Sequence, residues 1–156
     1  MGSKNNFGRN SVMVKEAYEA KVGLEALRRA GNCPQLKGHV HEVLFKDSFN
    51  INPKNIIEGK RAVLTSSNTA RMKDVIIKKG NKIVGHAQLK DTVSNSGARK
   101  TIEQINSGHY SKTKVLGTKE TVAKVAGKTT QKVESSGISS ETTKRIADKT
   151  LGKCRR

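Results

Sequence analysis

Apolar side chains recur along the first fifty residues with the period of a helix, and then change to the alternation of strands. From Val12 to Ala30 the apolar positions Ala17, Ala20, Leu24 and Leu27 are three and four residues apart, which predicts one buried face of a helix. Gly31, Asn32 and Pro34 stop it. A second helix is expected from about Leu36 to Phe49, with Leu36, Val40, Val43 and Leu44 as its buried stripe and His39, Glu42 and Lys46 on a different face. After a turn at Asn52 and Pro53 the period changes. Ala62–Thr65 is expected as a strand, and Asp74–Ile77 and Ile83–Lys90 as two more, joined into a β-hairpin by Lys79-Gly80-Asn81-Lys82.

A short helix from about Ala98 to Asn106, closed by Gly108, and a fourth strand from Lys112 to Leu116 follow. Two further helices are expected, over Glu120–Ala126 and, after a Ser139/Ser140 cap, over Glu141–Leu151. This order is an α+β plan. With 156 residues it predicts a single domain: an N-terminal helical extension (1–34), a core (35–117) and a basic C-terminal helical segment (118–156).

Hairpin register decides which side chains share a face. With a three-residue loop, Gly80 to Lys82, Lys79 faces Ile83 and Asp74 lies opposite Gln88. Asp74, Ile76, His86, Gln88 and Lys90 then point to one side, and Val75, Ile77, Gly85, Ala87 and Leu89 to the other. A two-residue loop slips the pairing by one and breaks the polar cluster.

Charge adds the partner class. Thirty-one Lys and Arg against thirteen Asp and Glu leave +18, a field that concentrates polyanions, and phosphates of DNA or RNA are the commonest such partner. From Lys112 onward, twelve basic residues stand against four acidic ones. Lys119, Lys124, Lys128, Lys132, Lys144 and Arg145 suit phosphate contacts better than base readout, and His86 is a further candidate for touching phosphate. Aromatics make up only 3% of the chain, so base stacking is not expected to dominate. No apolar run reaches the roughly 20 residues of a membrane span, and the polar N-terminus has no signal-peptide core. Cys33 and Cys154 are too few for a disulfide framework and have no CxxC spacing.

Asp74 at the start of one strand, Gln88-Leu89-Lys90 on the next and Glu42 on the preceding helix together resemble the PD-(D/E)XK nuclease superfamily, whose pattern is Asp, acid-x-Lys and a helical Glu. The resemblance covers about Leu36 to Leu116, with Gln88 in place of the acid and Met72-Lys73 in place of the usual proline. It implies a restriction-endonuclease-like core with Glu42, Asp74, Gln88 and Lys90 as catalytic residues. It also implies Mg²⁺ or Mn²⁺ held by Asp74, Glu42, the Gln88 side-chain oxygen and the Leu89 carbonyl, since Mg²⁺ takes hard oxygen donors. Lys90 would orient or deprotonate the attacking water. One carboxylate fewer than usual leads to an expected single-metal site.

Small size and extreme basicity also resemble the C-terminal toxin module of bacterial contact-dependent or polymorphic toxins. That resemblance implies an endodeoxyribonuclease acting in the cytoplasm of a target cell after delivery, with an acidic immunity protein as partner. Zinc is a weaker expectation, because His39, His41, His86 and His109 show no HxxxH spacing. Two other functions stay open: a non-catalytic RNA- or DNA-binding protein, and a metal-independent RNase using His41 or His86 with Lys90.

Overall fold

The computed structural model describes residues 2–30, 36–65 and 74–154, with side chains from residue 12 to residue 152 within them. Gly31, Asn32, Cys33 and Pro34, Met72 and Lys73, and the side chain of Cys154 lie outside that description. Among the described residues the elements are α1 (Gly2–Ala30), α2 (Leu36–Ile51), α3 (Pro53–Ile57), β1 (Lys60–Leu64), β2 (Val75–Lys79), β3 (Lys82–Lys90), α4 (Asn95–Asn106), β4 (Lys114–Gly117), α5 (Lys119–Val125), β5 (Val133–Ser135) and α6 (Ser140–Cys154). This is the α+β plan expected from the pattern.

The strands form one sheet in the order β1-β2-β3-β4-β5. β1, β2 and β3 make an antiparallel meander, while β4 and β5 join parallel to β3 and to each other. Parallel neighbours need a crossover, and α4 and α5 supply the two. α2 covers one side, where Phe45 and Phe49 pack on a cluster of Ala62, Val75, Ala87, Leu89 and Leu116. α4 and α5 cover the other, closing over Ala98, Ile105, Tyr110, Val115, Val125 and Val133.

The hairpin corrects one expectation and keeps its consequence. Lys79 pairs with Lys82, so the loop is the two residues Gly80 and Asn81, with Gly80 at φ +63° in the left-handed region that glycine tolerates. Lys78 then pairs with Ile83 but Ile77 with Gly85, so Val84 is an extra residue, a β-bulge. The bulge restores the slip that the shorter loop introduced. Val75 pairs with Ala87, and one step further Asp74 comes level with Gln88, its amide donating to the Ala87 carbonyl at 3.0 Å.

Three other expectations change. The stripe Ala17, Ala20, Leu24 does not face the core: Leu24 is 42% exposed, and α1 buries Glu19, Val22, Gly23 and Ala26 instead. The physical reason is the partner on that side. Val22 and Ala26 meet Leu36, Val40, Val43 and Leu44 of α2 together with Ile146 and Ala147 of α6. Asn52 and Pro53 do not merely turn the chain; the Asn52 side chain accepts the Lys54 amide hydrogen at 3.0 Å and caps the short helix α3. The C-terminal segment is not wholly helical, since it contributes β5 to the sheet as well as α6 to the first core cluster. No helix among the described residues is long and apolar enough to cross a membrane.

Candidate active site

Four elements converge at the end of the sheet where β3 finishes. β2 begins at Val75, and the side chain of Asp74 just before it meets β3: Oδ2 accepts the Leu89 N–H at 3.1 Å. Oδ1 is left without a hydrogen bond among the described residues. Burial pushes the Asp74 carboxyl up to about 6, and the negative charge of Glu42 on α2 pushes the same way. The Leu89 hydrogen bond and the charges of Lys90 and His39 offset part of that. Glu42 is 9% exposed. The Asp74 and Glu42 carboxylates therefore feel each other's charge in a partly dry setting, a costly arrangement that a strand-end cap alone does not require.

Glu42 has two basic neighbours. His39 Nδ1 lies 3.2 Å from Oε2, one helical turn away, and Arg29 Nη2 lies 3.5 Å from the same oxygen. Arg29 also donates to the Thr65 carbonyl at 2.7 Å, and its Nε is buried without a partner among the described residues. Gln88, one strand over from Asp74, is 8% exposed and its Oε1 likewise has no partner. A buried amide oxygen of this kind normally finds a donor.

Lys90 is anchored by the other layer. Its Nζ donates to the Tyr110 hydroxyl at 2.8 Å and to Gln104 Oε1 at 3.1 Å. Burial of Tyr110 (3% exposed) makes this a fixed anchor. Of the residues expected at the site, Glu42, Asp74, Gln88 and Lys90 thus gather at one end of the sheet, and Leu89 meets Asp74 through its amide.

His86 faces Ile76 lower on β3, beside a cleft that Phe49 and Lys114 also line, with Nδ1 buried and unpartnered. The imidazole whose charge bears on Asp74 is that of His39. His41 is 1% exposed, bonds Ser136 Oγ at 2.7 Å and is pulled down to about 4 by burial, so it is neutral at pH 7 and shielded from substrate. Lys119, Lys128, Lys132 and Lys144 are exposed. Lys124 is half-buried, and Arg145 is engaged by Glu19, tying α6 to α1.

Arg29, Gln104 and Tyr110 belong to the site by contact alone, and no motif spacing points to them. Asp91 was also missed, although it directly follows Lys90. Its carboxylate side chain is only 1% exposed and accepts from Ser140 Oγ at 2.7 Å, Thr143 Oγ1 at 2.5 Å and Thr118 Oγ1 at 3.3 Å, with Lys37 Nζ 3.5 Å away. Fully satisfied from four directions, it pins α5 and α6 to the end of β3 and stands apart from the chemistry.

Among the described residues no three His, Cys, Asp or Glu side chains gather where they could hold a metal ion. The donor set here is of another make-up: Asp74 Oδ1, a Glu42 carboxylate and the orphaned Gln88 Oε1, all hard oxygens, which fit Mg²⁺ or Mn²⁺ and not the N/S ligation of zinc. No family model matches the chain, and no curated protein or solved structure is significantly similar to it, so its chemistry has to be argued from these side chains themselves.

Proposed function

We propose that the chain is a metal-dependent endonuclease hydrolysing DNA phosphodiester bonds, of the PD-(D/E)XK kind. The observation that carries this is the pairing of two sequestered carboxylates, Asp74 and Glu42, beside the unpartnered Gln88 oxygen and within reach of the Lys90 charge. The order helix, antiparallel meander, crossover helix, parallel strand supports the same reading.

Bound Mg²⁺ would polarise the scissile phosphate and lower the pKa of a coordinated water. The protein's part is positional. Leu89 fixes the rotation of the Asp74 carboxylate through Oδ2 and leaves Oδ1 for the ion. Arg29 and His39 hold Glu42 through the same carboxylate oxygen, Oε2. Tyr110 and Gln104 hold the Lys90 ammonium, whose charge offsets the negative charge that grows on the phosphate in the transition state. A net charge of +18 draws the substrate in and neutralises flanking phosphates without reading bases.

Small size and basicity further support a toxin effector domain, restrained in its producer by an acidic immunity protein. That assignment rests on resemblance, and mixing with a candidate immunity protein tests it separately.

The deciding experiment incubates the protein with supercoiled plasmid and with total RNA, each with Mg²⁺ or EDTA, beside Asp74→Ala and Lys90→Ala. Nicking of plasmid that needs Mg²⁺ and is lost in both variants is the expected result. Nucleic acid shifted in a gel but left intact, equally by all three proteins, would replace the nuclease with a binding protein.

A further inference from the structure

We propose that the cleft between α4 and α5 is a track for the sugar–phosphate backbone of the nucleic acid. This deepens the nuclease reading and rests on it only for the identity of the ligand. The cleft measures about 670 Å³ and is walled by Arg99 of α4 and by Lys124 and Lys128 from α5 and the loop after it. Its floor is Ala98 and Ile102. Glu103 is the acidic residue on its wall.

Two struts fix the walls. At one end Lys124 Nζ donates to Asn95 Oδ1 at 2.6 Å. At the other, Asn106 donates to the Lys128 carbonyl at 3.1 Å and accepts the Thr130 amide at 2.8 Å. The α4 axis rises about 16 Å between Asn95 and Asn106, the length of roughly five duplex steps at 3.4 Å of axial rise each. The cations are thus pre-positioned, and Arg99 and Lys128 have no ion pair among the described residues. Glu120, the acidic residue of α5, is turned away to accept the Glu141 amide at 3.1 Å.

The α4 wall of the cleft begins a few residues after the strand that carries Lys90. Asn95 lies five residues beyond Lys90, and the intervening Thr92 is clamped to α5: its amide donates to Thr121 Oγ1 at 2.8 Å, and Thr121 Oγ1 donates back to the Thr92 carbonyl at 3.0 Å. A strand lying across the carboxylates can therefore continue between α4 and α5. Cationic walls over an aliphatic floor suit phosphates and ribose, and without an aromatic platform the contact carries no base preference. The basic residues expected from sequence thereby divide: Lys124 and Lys128 join Arg99 on the track, whereas Arg145 is occupied by Glu19.

The test measures binding of a fluorescein-labelled 20-base-pair duplex and of the matching single strand by anisotropy, in EDTA and at several NaCl concentrations. Arg99→Glu, Lys124→Glu and Lys128→Glu are compared with Lys82→Glu on the distant hairpin, all checked for native circular dichroism. Each cleft variant should weaken binding about threefold to tenfold and lower the salt slope by about one, with Lys82→Glu within about twofold of the parent. Cleft variants that bind like Lys82→Glu, with the same salt slope, would overturn the track. A parent that binds through the cleft but leaves DNA intact in Mg²⁺ would refute the nuclease and leave the track standing. Cleavage with cleft variants binding normally would do the reverse.

Discussion

The Tyr110 hydroxyl lies 2.8 Å from Lys90 Nζ, and the ring centroid of the same tyrosine is 4.8 Å from that nitrogen. Tyr110 comes from the turn between α4 and β4 and is buried against Val115 and Ile105. The position of the ammonium is therefore set by the helical layer, not by the Asp74 and Glu42 carboxylates.

Removing that hydroxyl alone should loosen Lys90 while Gln104 and the ring still hold it. Tyr110→Phe is expected to lower kcat for plasmid nicking about tenfold, with DNA affinity and overall fold retained, and with stability changed by no more than about 1 kcal/mol. Steady-state cleavage beside anisotropy binding checks it; an unchanged kcat would mean that Lys90 acts elsewhere.

Asp74 should make the protein less stable as pH rises. The folded state holds its proton up to about pH 6, whereas the unfolded chain releases it near the ordinary aspartate value of 3.8, so the native state binds more protons across that window. Stability contributed by this group is therefore present below about pH 4, falls between pH 4 and 6, and stays lost above. Asp74→Asn relieves the penalty: in EDTA at pH 8 it should gain about 2 kcal/mol, roughly 5 °C in Tm, and the gain should vanish near pH 4. Added Mg²⁺ should raise the Tm of the parent and not of the variant. Scanning fluorimetry across pH decides, and a variant less stable than the parent at pH 8 would make Asp74 a structural cap.

In the proposed metal site Arg29 would compete with the cation for Glu42. Its guanidinium lies 3.5 Å from Oε2, so Arg29→Gln removes a like charge from the ion's surroundings. Mn²⁺ binding by calorimetry should tighten about threefold to tenfold, while turnover falls because Glu42 loses its anchor. Unaltered Mn²⁺ affinity would put Glu42 outside the metal's surroundings.

Gly23 reverses a general rule. In an exposed helix, Gly→Ala gains about 1 kcal/mol. Here a Cβ would land against Thr150 Oγ1 of α6, a hydroxyl already bonded to the Ile146 carbonyl at 2.8 Å. Gly23→Ala should instead cost about 1–3 kcal/mol by urea unfolding, and Leu24→Ala next to it should be nearly neutral. A stabilised Gly23→Ala would mean that α1 packs on α6 less closely.

Much of the site was legible in the sequence for a definable reason. The alternation of Val75, Ile77, Ala87 and Leu89 names the buried side of the hairpin without coordinates, and that puts Gln88 and Lys90 on the other side. The route to the register was nevertheless wrong. Gly80-Asn81 closes a two-residue loop, and only the bulge at Val84 returns Asp74 to the level of Gln88. A bulge answers to packing across the sheet, and Gly85 beside Val84 is its one local sign.

By itself, then, the sequence determined the longer helices and most strands, the buried stripe of α2 and the basic field, because each follows from local periodicity or summed charge. Tertiary structure alone decided which face α1 presents, since that depends on α2 and α6 arriving from distant parts of the chain. It also decided that Arg29 and His39 flank Glu42 and that Tyr110 holds Lys90. These contacts link side chains that share no periodicity, and only the packing of layers sets the distances between them.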